Sequence, residues 1–282
     1  MSGATVTVLN IIVLALLQGL TELLPISSSA HLILVPVITG WPDQGLMVDA
    51  SLHLGTFCAI ALYFWRDCLA MLLGLLNLLR GKVTPGAKLM GFVVIATIPA
   101  VICGLLIKDY AETALRSVAI IGWTATIFGI LLYVADRWGV RLKRLDHMTW
   151  QGAVIVGLAQ CLALIPGTSR SGITMTAGRA MGFERRDAAR FSFLVSLPVT
   201  LGAGLLGVYE ISKGADGGAH LHDAALAAGG AFLASLATVA FLMNWLRTAN
   251  FTPFVVYRVA LGIGLLIWVY GFGGPQMTGP LH

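Results

Sequence analysis

Two short polar segments interrupt apolar stretches of this 282-residue chain. The first reads PISSSAH at residues 25–31 and follows Glu22, and the second reads PGTSRSGIT at residues 166–174 and contains Arg170. A carboxylate and an imidazole beside serine hydroxyls can activate a nucleophile. A guanidinium among serines and glycines suits phosphate oxygens. These residue types predict phosphate chemistry.

The first segment carries the candidate reactive groups. Ser28 is the candidate nucleophile, and Glu22 and His31 on either side of it are the candidate acid/base pair. Gln18 lies four residues before Glu22, so the two share one helix face. The remaining hydroxyls that could bind a substrate here belong to Ser27 and Ser29.

The second segment carries the candidate anion clamp, Arg170. Gly167 lets backbone N–H groups close on an anion, the hydroxyls of Ser169 and Ser171 donate further hydrogen bonds, and a helix starting after the break would aim its N-terminus at the same point. A charge at the centre of a bilayer costs about 2.5–3.5 kcal/mol on insertion scales. Glu22 and Arg170 would offset this cost if the two segments met.

The composition places these segments in a membrane. Apolar residues make up 57% of the chain and charged residues 11%, and the mean hydropathy is +0.87, whereas soluble domains carry about 25% charged residues. Several charge-free runs approach the roughly 20 residues of a spanning helix, without the period-two alternation of a barrel. We therefore predict an all-α polytopic membrane protein. The net charge of +5 comes from basic loops, so no nucleic-acid partner is expected.

Loop charges predict the orientation, because Lys and Arg accumulate on the cytoplasmic side. Residues 80–88, 136–147 and 179–190 are rich in bases and are predicted to lie inside. Residues 108–116 are balanced and residues 210–223 are acidic, and both are predicted to lie outside. The bases of residues 179–190 are interpreted as topological signals.

This orientation requires six spans and two re-entrant hairpins in one domain, residues 1–282. Half one, about 1–147, contains a hairpin at 5–40 and spans at 48–65, 89–107 and 117–135, with a short interfacial helix at 68–79. Half two, about 148–282, contains a hairpin at 150–182 and spans at 191–210, 224–246 and 254–272. The halves enter the membrane from opposite sides, which is an inverted-topology repeat with its site near the midplane.

A sequence echo supports the repeat. Pro25 aligns with Pro166 and Ser28 with Ser169, and Leu23–Leu24 align with Leu164–Ile165. Irregular backbone at this depth is tolerated only where protein or a wet cavity surrounds it. The hairpin tips are therefore predicted to face one cavity.

A metal requirement is left open. No His or Cys cluster has ligand spacing, but a hard divalent cation, Mg²⁺ or Ca²⁺, could bridge Glu22 and a phosphate. No organic cofactor is expected.

The motifs resemble those of a known family. QGLTELLPISSSAH (residues 18–31) and PGTSRSGIT (residues 166–174) look like the two signatures of the bacterial undecaprenyl-diphosphate phosphatases, the bacitracin-resistance membrane phosphatases. The similarity extends to LGTFCAIALYFWR, MTWQGAVIVGLAQCLALIPG and FTPFVVYR, so it covers nearly the whole chain.

The resemblance implies hydrolysis of a C55 isoprenyl diphosphate to the monophosphate, which recycles the lipid carrier for cell-wall synthesis and confers bacitracin resistance. It implies a bacterial inner-membrane enzyme whose site opens to the periplasm, assisted by a divalent cation. It assigns Glu22 as acid/base or metal-associated carboxylate, Ser28 as nucleophile or phosphate-positioning hydroxyl, and His31 as partner acid/base. Arg170 is the clamp. Its supporting residues are Ser169, Ser171 and Thr174.

Two residues depart from the family pattern. Gln18 stands where many members have Glu, which removes one carboxylate and puts a metal held by two glutamates in doubt. Ala30 stands where Gly is frequent. The sequence leaves the oligomeric state open, with a homodimer as one candidate.

The same sequence features are compatible with other interpretations. Inverted repeats with broken helices are also transporter architecture, so a flippase of an isoprenyl phosphate lipid is the alternative function. A phosphatidic-acid-type phosphatase is disfavoured, because Thr176 stands where its second motif needs a histidine. His53 is interpreted mainly as a packed, hydrogen-bonded residue. Arg258 is interpreted as snorkelling from the last span to the interface.

Overall fold

The computed structural model describes residues 7–41, 45–113, 115, 117–139, 142–212 and 221–274. Over these residues the chain is helical, and its only bridge between extended residues joins Lys143 to Phe183. The fold prediction of an all-α polytopic protein is confirmed. The α-helices are α1 (Val8–Thr21), α2 (Ser28–Thr39), α3 (Gly45–Tyr63), α4 (Trp65–Leu78), α5 (Pro85–Thr113), α6 (Val118–Trp138), α7 (Trp150–Cys161), α8 (Arg170–Ala180), α9 (Arg185–Ser212), α10 (Leu221–Trp245) and α11 (Thr252–Phe272).

Two pairs of short helices stand where hairpins were predicted. α1 packs on α2 and α7 packs on α8. The longest of the four has 14 residues, about 21 Å at 1.5 Å per residue, against about 30 Å of hydrocarbon. Each of these helices is therefore too short to cross the hydrocarbon layer, which favours the predicted re-entrant hairpins. Residues 5 and 6 of the first predicted hairpin lie outside the described part.

The two tips share one backbone arrangement. Ser27 (φ 76°) and Ser169 (φ 67°) have positive φ, a conformation rare outside glycine. Each caps the next helix, its hydroxyl accepting from the N–H three residues on: Ala30 N at 3.4 Å and Gly172 N at 3.1 Å. These hydrogen bonds satisfy N–H groups that a helix start leaves free.

This shared arrangement corrects the alignment of the sequence echo. Ser27, rather than Ser28, corresponds to Ser169, because both are positive-φ caps. The second segment has one more residue between its proline and its cap, which displaced the alignment by one. Ser28 therefore corresponds to Arg170, each being the first residue of its helix.

Long apolar helices cover the segments that were predicted as spans. Among the described residues, five helices are long and apolar enough to cross a membrane: α5, α6, α9, α10 and α11. The bent pair of α3 and α4, with 85° between the two helices, makes a sixth span if it is counted as one. α4 covers most of the segment predicted as an interfacial helix, residues 68–79, and its place at the interface stays a prediction. α9 begins earlier than predicted, at Arg185, because ion pairs neutralise its first turns.

Those ion pairs give the bases of residues 179–190 a structural role beside the predicted topological one. Arg179 is fully buried, and its Nε donates to Asp136 Oδ1 at 2.9 Å. Arg185 donates to both oxygens of the same carboxylate, at 2.7 and 2.9 Å, and Arg190 pairs with Asp67. A base in such a pair joins helices. Three of the four bases thus hold α4, α6, α8 and α9 together.

Close contacts between small residues join the two halves. Gly19 on α1 lies against Ala234 of α10, and Gly157 on α7 lies so near Ala96 of α5 that an added Cβ would be 2.7 Å from its carbonyl oxygen. α1–α10 and α7–α5 are corresponding pairs in the predicted halves. The inverted repeat stays a prediction, which this pairing favours.

Candidate active site

An ion pair joins the two tips. Arg170 Nη2 donates to Glu22 Oε1 at 2.6 Å, and the two side chains are 15% and 9% exposed. Arg170 begins α8, and Glu22 directly follows α1. Each charge offsets the cost of burying the other. The structure thus brings together the charged residues of the two polar segments.

The second oxygen of the same carboxylate faces the candidate nucleophile. Ser28 Oγ donates to Glu22 Oε2, and Gln18 Nε2 approaches that oxygen at 3.4 Å. A hydroxyl that donates to a carboxylate is oriented for transfer of its proton to that carboxylate. Glu22 therefore contacts the clamp with one oxygen and Ser28 with the other.

These groups line a cavity of about 170 Å³. Its lining contains six of the eleven predicted site residues and two others. The lining residues are Glu22, Ser27, Ser28, Ser29, His53, Ala163, Ser169 and Arg170. Arg170 and Glu22 supply one charge of each sign to this lining, and the hydroxyls of its four serines add hydrogen-bond donors, so the cavity suits a phosphate that pairs with the guanidinium.

Two buried atoms at this site have no hydrogen-bond partner among the described residues. They are Arg170 Nη1 and Gln18 Oε1. An unpaired buried donor costs about 1–3 kcal/mol. A phosphate oxygen would pair Arg170 Nη1, and a cation or a donor on the substrate would pair Gln18 Oε1.

Four residues predicted to bind substrate lie outside the lining of the cavity, and one of them is Gln18, whose amide nitrogen faces Glu22. Ser171 Oγ donates to Leu24 O at 3.0 Å, which ties the second tip to the first. The Thr174 hydroxyl donates to Arg170 O at 2.8 Å, and Gly167 has φ +89° against α6. These contacts hold the tips in place. Direct substrate contacts by these four residues stay a prediction.

His31 lies outside that lining, with both ring nitrogens hydrogen-bonded. Nδ1 is 2.7 Å from Ser27 O, and Nε2 is 2.6 Å from the Tyr257 hydroxyl, with the two rings stacked. Because a carbonyl oxygen only accepts, Nδ1 carries a proton, and in the neutral ring Nε2 accepts from Tyr257. The acid/base role of His31 stays a prediction.

His53 lines the cavity although the sequence indicated mainly a packing role. Its Nδ1 donates to Asp49 O at 2.8 Å, one turn earlier on α3. This hydrogen bond agrees with the interpretation of His53 as a hydrogen-bonded residue. It leaves Nε2 as the nitrogen that can exchange a proton. His53 is therefore a second candidate for proton transfer.

The snorkelling interpretation of Arg258 is wrong. Its side chain is fully buried, and Nη2 donates to Thr168 O at 2.7 Å and Gly167 O at 3.1 Å, while Nη1 reaches Pro25 O at 3.5 Å. One guanidinium thus binds carbonyls of both tips. The signal in the sequence was an arginine within an apolar span, which by default marks a function.

The donor atoms fit a divalent cation only together with a phosphate. No group of three or more His, Cys, Asp or Glu residues in the described ranges could hold a metal ion. Glu22 and the unpaired Gln18 Oε1 offer hard oxygen ligands. Mg²⁺ commonly uses one or two carboxylates plus phosphate oxygens and water, so the substrate would complete the shell.

Known proteins resemble this chain along its length. Residues 11–264 match a family described as "Bacitracin resistance protein BacA". A protein of Rhodospirillum rubrum named undecaprenyl-diphosphatase 1 is 49% identical, covering 93% of this chain and 95% of its own. Undecaprenyl-diphosphatases of Roseobacter denitrificans and Ruegeria pomeroyi are each 47% identical, covering 94% and 91% of this chain and 99% and 97% of their own. Because the family match covers most of the chain and these relatives are 47–49% identical to it, the chain belongs to the bacitracin resistance protein BacA family.

Proposed function

We propose that this protein is a membrane phosphatase that hydrolyses undecaprenyl diphosphate to undecaprenyl phosphate and inorganic phosphate. The observation that carries the proposal is the Glu22 carboxylate, which accepts from Arg170 on one oxygen and from Ser28 on the other beside one cavity. The names of the relatives support the same activity.

Substrate binding begins with the terminal phosphate entering the cavity. Arg170 Nη1 donates to a phosphate oxygen, and Nη2 moves from Glu22 to a second oxygen, since a guanidinium binds phosphate in a two-pronged manner. The N-termini of α2 and α8 add backbone N–H groups. Further donors are the hydroxyls of Ser27, Ser29 and Ser169.

Hydrolysis then follows in two steps. In the first step, Ser28 Oγ attacks the terminal phosphorus in line, and its proton passes to Glu22. The P–O bond of the anhydride breaks, and undecaprenyl phosphate leaves. Water next attacks the phosphoserine and releases inorganic phosphate and the free serine. Arg170 stabilises the charge that develops in each transition state. His31 is the proposed partner of Glu22 in proton transfer, and His53 is the alternative residue for this role. Direct attack by water in place of Ser28 is the alternative to the phosphoserine route.

A divalent cation is proposed to assist. Glu22 and Gln18 would hold it together with the diphosphate, and it would neutralise phosphate charge.

The proposed location is the bacterial inner membrane, with the cavity opening to the periplasm. The basic loops support this orientation. The activity would recycle the lipid carrier for peptidoglycan and confer bacitracin resistance. A homodimer is the proposed assembly, which light scattering of the detergent-solubilised protein would test.

Phosphate release from purified protein tests the function. Wild-type protein with long-chain isoprenyl diphosphate should release inorganic phosphate, and Arg170→Ala should not. The flippase alternative draws on the two hairpins, because broken helices in both halves are typical of transporters. Movement of isoprenyl phosphate across vesicles without phosphate release would favour it and contradict the phosphatase.

A further inference from the structure

A second cavity, apolar and much larger, lies between α3, α4, α5 and α9. Its volume is about 590 Å³. Its lining includes Phe57 of α3, Met71 of α4, Val94 of α5 and Leu197 of α9. The hydroxyl of Thr97, also in the lining, donates to Val93 O at 2.8 Å within α5. This apolar groove therefore suits a hydrocarbon.

The apolar groove begins one helical turn from the polar cavity along α3. His53 lines the polar cavity and Phe57 lines the groove. These residues are four apart, so they lie one above the other on one helix face. Ala61, one turn further on, also lines the groove. A ligand with an anionic end and an apolar chain would span both.

The groove lies where the two halves pack differently. α3 packs tightly on α10: a Cβ added at Gly55 would collide with the backbone of Ala228, and Thr56 Oγ1 is 3.1 Å from Ser235 Oγ. The corresponding pair in the predicted repeat is α9 with α5. Between these helices lies the groove instead. The groove therefore occurs between α5 and α9 and, in the described part of the chain, has no counterpart between α3 and α10.

We propose that the apolar groove binds the first part of the isoprenyl tail while the diphosphate occupies the polar cavity. This inference rests on the proposed function. The direction agrees with a periplasmic site: α3 runs inward in the predicted topology, so the groove extends inward from His53. A lipid of the outer leaflet has its tail on the inward side of its headgroup.

The groove acts by orienting the substrate. Lipid tails are as apolar as leucine, so transfer of the isoprenyl chain from bilayer to groove gains little hydrophobic free energy. A chain held in the groove fixes the phosphate against Ser28, and a displacement of about 1 Å can cost 100-fold in rate.

A matched pair of valine substitutions tests the groove. Val94 lines it and Val208 does not, and both are 48% exposed. We expect Val94→Trp to lower kcat/KM for a long-chain isoprenyl diphosphate about ten-fold or more and to leave a short-chain diphosphate unaffected. Val208→Trp should change neither. Equal losses on both substrates, or full activity of Val94→Trp on the long chain, would overturn the proposal.

A photocrosslinking experiment separates this proposal from the phosphatase proposal. The probe is a long-chain isoprenyl monophosphate with a diazirine in the first isoprene units, and mass spectrometry locates the label in wild-type protein. We expect labels on groove residues of α3, α5 or α9. Labels only elsewhere overturn the groove, whereas groove labels in a protein that releases no phosphate would refute only the phosphatase.

Discussion

Arg170 Nη2 lies 2.6 Å from Glu22 Oε1, although 148 residues separate them in the chain. The ion pair connects the tips of two hairpins from opposite halves. Neither tip alone contains an acid, a hydroxyl and a guanidinium that share a cavity. Activity should therefore depend on residues from both tips, with different variants failing in different ways.

Substitution of Arg170 by Lys should lower kcat/KM for long-chain isoprenyl diphosphate about 100-fold. A lysine keeps the charge but cannot bind Glu22 and phosphate with a planar fork. Phosphate release by purified protein measures the effect. Arg186→Lys, at an exposed arginine of α9, is the control and should behave as wild type. Near-normal activity of Arg170→Lys would contradict the clamp role.

Substitution of Ser28 by Ala should lower kcat about 1,000-fold or more, because it removes the nucleophile. Substrate binding should persist through Arg170. Ser29→Ala, in the same cavity, should cost only about ten-fold, the scale of one hydrogen bond. Mass spectrometry after rapid quenching should find phosphate on Ser28. Substantial turnover by Ser28→Ala would indicate water or another group as nucleophile.

Substitution of His31 by Gln should lower kcat about 100-fold if His31 transfers a proton. Tyr257→Phe removes only the hydrogen bond to Nε2 and should cost less, about ten-fold. His53→Gln is the decisive comparison, measured by the same phosphate assay. A larger loss in His53→Gln than in His31→Gln would assign the proton to His53.

Substitution of Arg258 by Met should destabilise the protein by about 3 kcal/mol or more, because it leaves buried carbonyls of both tips without a donor. The thermal midpoint in detergent should fall, and KM should rise as the tips separate. Arg247→Met, at an exposed arginine, should leave both unchanged. An unaltered midpoint and KM in Arg258→Met would contradict the positioning role.

Substitution of Gly167 by Ala should also disturb the second tip. Gly167 has φ +89°, and an added Cβ would collide with Thr124 Oγ1 and come within 2.8 Å of Ile121 O. A loss of about 1–3 kcal/mol is expected. Gly264→Ala, where no atom lies within 4 Å, is the control. Equal midpoints for the two variants would contradict this account.

The helical fold could be predicted from the sequence because hydropathy and loop charge act locally. Runs without charge predicted the spans, and a lone interruption such as residues 25–31 predicted a break. The correspondence between the capping serines of the two tips could not be predicted. The second tip has one more residue between its proline and its cap than the first, and this extra residue does not change the pattern of polar and apolar residues. Only the φ angles of Ser27 and Ser169 revealed the correspondence.

The candidate site was predicted best where its residues share a motif. Glu22, Ser28 and Arg170 were identified because their charge or hydroxyl stands out in an apolar run. The role of Arg258 was predicted wrongly, because its partners are backbone carbonyl groups. Every residue has such a group, so no sequence motif identifies these partners. His53 was undervalued for a similar reason: its neighbourhood depends on how α3 crosses the tips.

The matching caps at Ser27 and Ser169 have a consequence for design. In both tips, the residue directly after the capping serine is the first residue of a short helix, and its side chain lines the same cavity. Ser28 occupies that position in one tip and Arg170 in the other. The two tips therefore present a hydroxyl and a guanidinium from corresponding backbone positions, whereas the carboxylate of Glu22 and the imidazole of His31 occur in the first tip alone. An exchange of Ser28 and Arg170 would move the hydroxyl and the guanidinium between the tips and leave the carboxylate and the imidazole in place.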